Sequence, residues 1–179
     1  MQILKNEKGD KKMRKKEKTK PDVIEFEISK HLGVLSTTKD SKGVWTKELN
    51  VVSWNGFKSK YDIRDWNENH IKMKRGITLH RDEMNNIVKC YVPLQEAPEN
   101  GESETRGDSE FSYQVLSRLG CIKAYETGWT KELNIIKWNN GEPVYDIRDW
   151  SEDKSRMSRG MTLTPDEMAK VISFYLKEK

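Results

Sequence analysis

Apolar and polar residues alternate at the start of the patterned chain. Ile24, Phe26 and Ile28 alternate with Glu25 and Glu27, which predicts a strand with one covered face. Val34 and Leu35 either continue it or follow a bulge near Gly33. Thr37 to Gly43 has turn composition, and three more strands are predicted over 45–54, 61–66 and 77–79. The period then changes. Met84, Ile87, Val88 and Tyr91 recur at helical spacing, and so do Met168, Val171, Ile172 and Tyr175. The second helix has a clear start: Thr164 suits the N-cap, Pro165 the first turn, and Glu167 the capping box. Four strands and a helix make an antiparallel sheet with one face covered and the other wet.

The pattern occurs twice. Residues 45–92 align with 129–176 at an offset of 84, with 24 identities in 48 positions. WTKELN, WN, YDIRDW, RG-TL and DEM all return, and all six tryptophans lie at matching places. A module has been duplicated. The first strand of copy two, with Tyr113, Val115, Leu119 and Gly120, matches Phe26, Ile28, Leu32 and Gly33 at an offset of 87, so its turn is three residues shorter. The predicted class is α+β: two four-stranded antiparallel sheets, each followed by a helix, paired within one chain as a pseudo-dimer. A homodimer is then not required. Modules of about 70 residues have thin cores, and the twin is the natural partner.

Charge and composition set the boundaries. Residues 1–20 hold nine Lys or Arg against three acids and read as a disordered basic tail. Module one is assigned to 21–92 and module two to 111–179. The stretch 93–110 between them, with six acids and one base, reads as a flexible acidic linker reaching roughly 23 Å. The tail's excess of basic residues is larger than the whole chain's net charge of +4, so charge alone argues weakly for nucleic acid. Cys90 and Cys121 do not correspond and read as small buried residues in a reducing compartment. No apolar run approaches the length of a membrane span, and the expected location is the cytoplasm, at the nucleoid.

The candidate chemistry lies in what both copies kept. Tyr61 and Ile63 share one strand parity, while Asp62, Arg64 and Trp66 share the other. With Ile63 in the core, Arg64 and Trp66 face the wet side, where an indole beside a guanidinium would make a stacking platform. Lys47 and Lys131 are expected at phosphates. Because Leu49 has the parity of Lys47, a bulge near Asn50 is expected to turn the lysine outward. Gly76 and Gly160 are read as supplying a special backbone angle, and Arg75 and Arg159 as reaching a phosphate or a carboxylate. Glu48, Asp62 and Asp65 are retained, but the opposite parities of the two aspartates disfavour a shared metal. His31, His70 and His80 align with Arg118, Lys154 and Thr164, so no histidine is retained for acid–base catalysis. No cofactor, metal or enzymatic activity is expected. A protein-interaction module anchored by the tryptophans is the alternative, and a metal-dependent nuclease is a more distant one.

WTKELNVVSWN, YDIRDW and MKRGITL, followed by a short amphipathic helix, resemble the bacterial YdbC-type proteins, in the superfamily of transcriptional positive cofactor four and the plant Whirly proteins. The resemblance spans about 22–92 and again 108–177. It implies paired curved sheets whose open faces bind single-stranded DNA with little sequence preference, in transcription, replication, recombination or repair. By that likeness Trp45, Lys47, Trp54, Lys60, Arg64, Trp66 and Arg75 form the DNA-binding surface of module one. Trp129, Lys131, Trp138, Arg148, Trp150 and Arg159 match them in module two. Single-stranded RNA is left open as a ligand, since nothing tests for a 2′-hydroxyl. Transcription or replication proteins are further candidate partners. Lys60 becomes Val144, Lys58 becomes Glu142 and Lys74 becomes Ser158, partly offset by Ser53 becoming Lys137, so the second face is expected to bind more weakly or at a different nucleotide register.

Overall fold

The computed structural model describes residues 24–41, 43–102, 105–107 and 111–178. The basic tail at 1–20 lies outside the described residues. The first module has β1 (Phe26–Asp40), β2 (Gly43–Trp54), β3 (Lys60–Asn67), β4 (Met73–Leu79) and α1 (Arg81–Cys90). After a 3-10 turn at Leu94–Glu96 and a short β5 (Arg106–Gly107), the second has β6 (Ser112–Ala124), β7 (Thr130–Trp138), β8 (Pro143–Trp150), β9 (Met161–Leu163) and α2 (Pro165–Glu178). Both sheets are antiparallel and ordered along the chain, β1 to β4 and β5 to β9.

Curvature comes from the first long strand of each sheet. β1 slips against β2 between Ile28 and Lys30, His31 and Gly33, and Val34 and Ser36. β6 slips at the three corresponding places. Each bulge adds bend and twist, so the duplication kept the bend as well as the side chains. The bulge expected near Asn50 is absent: β2 pairs with β3 without interruption from Trp45↔Asn67 to Val52↔Lys60. Lys47 therefore keeps the parity of Leu49 and faces the helix side.

The helices are exchanged between modules. α1 packs on β6 and α2 on β1, and one core holds Leu49, Ile63, Leu79, Met84 and Ile87 together with Leu133, Ile147, Leu163, Met168 and Val171. A Cβ on Gly33 would collide with Phe174 of α2, and one on Gly120 with Cys90 of α1. Each glycine thus admits the other module's helix. Cys90 is half-buried there, whereas Cys121, expected to be buried, is exposed on the other side of β6.

The acidic segment is not loose chain throughout. Leu94 and Ala97 pack against the shared core. Ser117 Oγ donates to Pro98 O (2.7 Å), Arg118 N to Asn100 Oδ1 (2.8 Å) and Glu102 N to Val115 O (2.6 Å), and β5 pairs with Tyr113 and Ser112. An edge strand presents unpaired N–H and C=O groups, and this strap satisfies some of those of β6.

Candidate nucleic-acid interface

Strand parity sends Thr46, Glu48, Asn50, Val52 and Trp54 of β2, with Lys60, Asp62, Arg64 and Trp66 of β3, to the side opposite the helices. That side carries aromatic packing of its own, and in module two Tyr113, Val115, Ile136 and Trp150 form a small separate core there. Trp54 and Trp66 stack at 6.5 Å and 9°, and Phe26, opposite Trp54 on β1, tilts against both at 5.6 and 5.0 Å. In module two Tyr113 takes that place, 5.5 Å from Trp138 and 6.0 Å from Trp150. Phe26 and Tyr113 were not among the expected site residues, although their shared offset of 87 was available as a signal.

Arg64 and Arg148 are held in place. Arg64 donates to both carboxylate oxygens of buried Asp62 (2.5 and 2.7 Å) and to Met73 Sδ (3.2 Å), and its guanidinium lies 4.2 Å from the Trp54 ring centre. Arg148 repeats this with Asp146 (2.5 and 2.6 Å), Met157 (3.2 Å) and Trp138 (4.4 Å). Gly76 and Gly160 do not have positive φ. They are required for space, because a Cβ at either would press on the Cβ of its arginine and on the carbonyl of Ile63 or Ile147.

The expected interface residues separate into two groups. Trp54 and Trp138 are partly exposed beside their arginines, Lys60 is partly exposed on the same side, and Arg75 and Arg159 are exposed. Next to Trp138, Phe111, Arg148 and Thr162 complete a shallow cavity of about 340 Å³, with the Phe111 ring 5.3 Å from the indole. Trp66 and Trp150 do not offer a stacking surface: both are 0% exposed, covered by the curvature and by Phe26 or Tyr113. Trp45 is buried with the Lys74 ammonium 4.3 Å from its ring, and Trp129 is half-buried under Arg156. Trp45 has the parity of Lys47, not that of Trp54, and Trp129 lies just before β7.

Lys47 and Lys131 also depart from expectation. Lys47 Nζ lies 2.9 Å from Glu167 at the start of α2, and Lys131 Nζ lies 2.8 Å from Glu83 at the start of α1. Each lysine braces the other module's helix. Burial would raise the Glu167 carboxyl, but hydrogen bonds from Ser36, the Thr164 N–H and Lys47 outweigh it and hold it below the ordinary range. Burial would lower the Lys131 ammonium, and Glu83 reverses that.

The retained Glu48 and Glu132 are buried within polar clusters on the open side. Thr46 Oγ1 (2.6 Å) and Asn50 Nδ2 (2.9 Å) donate to Glu48; Thr130 Oγ1 (2.8 Å) and Asn134 Nδ2 (3.3 Å) donate to Glu132. Burial pushes both carboxyls up, and these bonds, with His70 in one case and Lys154 in the other, bring both below the usual value.

Two curved sheets back to back on exchanged helices, each presenting an indole and a fixed guanidinium on its uncovered side, define a two-faced class of α+β protein. Residues 42–90 and 125–174, more than half of the chain, match the Transcriptional Coactivator p15 (PC4) family, and the chain belongs to that family, as a tandem of two copies. It is also similar to an uncharacterised protein of Treponema pallidum (strain Nichols), with 43% identity over 61 residues, which are 34% of this chain and 72% of that protein.

Proposed function

We propose that this protein binds single-stranded DNA with little sequence preference, using the open side of each sheet and acting in transcription, replication, recombination or repair at the nucleoid. The observation that carries this reading is the pairing of Trp54 with Arg64 and of Trp138 with Arg148 on sides that no helix covers among the described residues. Bases stack on the exposed parts of Trp54 and Trp138, worth roughly 1–3 kcal/mol each. Phe111 extends the second platform. Lys60, Arg75 and Arg159 neutralise phosphates, which makes affinity fall with salt. Trp66, Trp150, Lys47 and Lys131 serve as scaffold beneath these contacts. Duplex is disfavoured, because only unpaired bases reach the indoles.

The test is a titration of fluorescent oligo-dT of about 20 nucleotides, with a duplex and an oligo-U of equal length, at two salt concentrations. Salt-sensitive binding to the single strand over the duplex is expected. Equal affinity for duplex would overturn the reading, and preference for oligo-U would reassign the ligand to RNA.

A further inference from the structure

The two open sides carry one carboxylate cluster with different cations. In module two Glu132 is bound by Arg118 (Nη1 to Oε2, 3.1 Å) and by Lys154 Nζ, both permanently charged. In module one the matching positions are His31 and His70. His31 Nδ1 donates to Asn50 Oδ1 (2.8 Å) and lies 3.4 Å from Glu48 Oε2. His70 Nε2 lies 2.9 and 3.1 Å from the two Glu48 oxygens. The geometry is conserved even in the backbone: His70 and Lys154 have φ of 55° and 58° in corresponding turns.

We infer that the His31–Glu48–His70 cluster makes single-stranded DNA binding by module one pH-dependent, while module two binds at constant charge. This rests on the proposed DNA-binding reading. Each imidazole directs one N–H into the cluster and leaves its other nitrogen to take a proton. Their side chains are 50% and 38% exposed, so protons reach them from solvent. With both imidazoles neutral the cluster carries −1; with both protonated it carries +1. Module two's counterpart stays at +1; Glu102 of the strap reaches Arg118 at 2.6 Å and is itself paired with Arg106 at 2.7 Å.

Among the described residues, the other charged groups near this cluster are paired with one another or turned to solvent. On β2, Thr46 and Asn50 are uncharged. On β3, Arg64 faces Glu48 in register and is bound to Asp62. Glu68 and Lys72 of the His70 turn are exposed. The helices, with Glu167 and Lys47, lie across the sheet. The cluster adjoins the DNA-binding surface, since the His70 ring is 5.5 Å from Trp66 and Arg64 lies over Trp54. Histidine changes charge between pH 5 and 8, so acidification adds up to two positive charges where phosphates pass.

The test is oligo-dT affinity of the full chain at pH 6 and pH 8, for the wild type and for His31→Arg/His70→Lys, which copies module two. The wild type is expected to bind tighter at pH 6, by about fivefold per added phosphate contact at 0.1 M salt. The variant is expected to bind at pH 8 as the wild type does at pH 6, and to lose the pH dependence. The reciprocal Arg118→His/Lys154→His is expected to steepen the wild type's pH dependence, because module two then responds as well. His80 is intact in all three, so pH dependence that persists in the first variant overturns the inference, as does pH-independent binding by the wild type. In either case the DNA-binding reading stands. No binding at either pH removes both.

Discussion

Lys131 of the second module and Glu83 of the first lie 2.8 Å apart, and the lysine side chain is only 11% exposed. The same contact, turned by the pseudo-twofold, joins Lys47 to Glu167. A pair of retained lysines on strands in a basic protein suggests a nucleic-acid role. Their partners show that what the duplication retained is the clasp between modules.

Breaking that clasp on one side leaves a buried charge alone. Lys131→Ala is expected to destabilise the chain by about 3 kcal/mol, since removing one partner of a buried pair is costly. Lys131→Met with Glu83→Gln is expected to recover much of the loss. Urea unfolding of the single and double variants checks both.

The indoles divide by burial, and so will their variants. Trp54→Ala and Trp138→Ala are expected to weaken oligo-dT binding by roughly 5- to 100-fold, the equivalent of one stacked base, with a smaller effect on stability. Trp66→Ala and Trp150→Ala empty a core position and are expected to cost about 3–5 kcal/mol. Binding titrations and thermal unfolding of the four variants separate the classes.

Gly76→Ala is expected to affect both properties together. The added methyl meets the Ile63 carbonyl and the Arg64 Cβ, and backbone does not yield cheaply, so a loss of about 1–3 kcal/mol is expected. Arg64 is displaced from Trp54 in the process, so DNA affinity falls as well. Gly160→Ala repeats this at Arg148.

Acid is expected to loosen the fold through Glu48, Glu132 and Glu167. Their folded-state pKa values lie below the ordinary 4.5. A depressed carboxylate contributes stability that is fully present above its unfolded pKa and is lost as pH falls through the folded one. Stability is therefore expected to hold near neutrality and to decline below about pH 5. Glu132→Gln is expected to flatten that decline, as read from urea midpoints between pH 3 and 7.

The fold was largely legible in the sequence. Parity placed Ile63 in the core and Arg64 on the open side, and the capping signal at Thr164 marked the start of α2. A bulge near Gly33 was one of two readings of the first strand, and the register of β1 against β2 decided for it. The interface was legible only in part. Parity tells which side Trp66 takes, but not that Phe26 from β1 closes over it. Nor could it show that Lys47 meets a residue 120 positions away. The strap at 94–102 has linker composition and is ordered by the edge of β6 that it completes.

By itself the sequence determined the duplication, the strand and helix periods and the side of the sheet each residue takes, because these follow from local spacing and from comparing one copy with the other. Tertiary structure decided which retained residues remain open and which charges are matched. Exposure depends on curvature, on helices exchanged between modules and on partners far along the chain. A lysine or tryptophan kept for packing is then indistinguishable, in one dimension, from one kept for DNA.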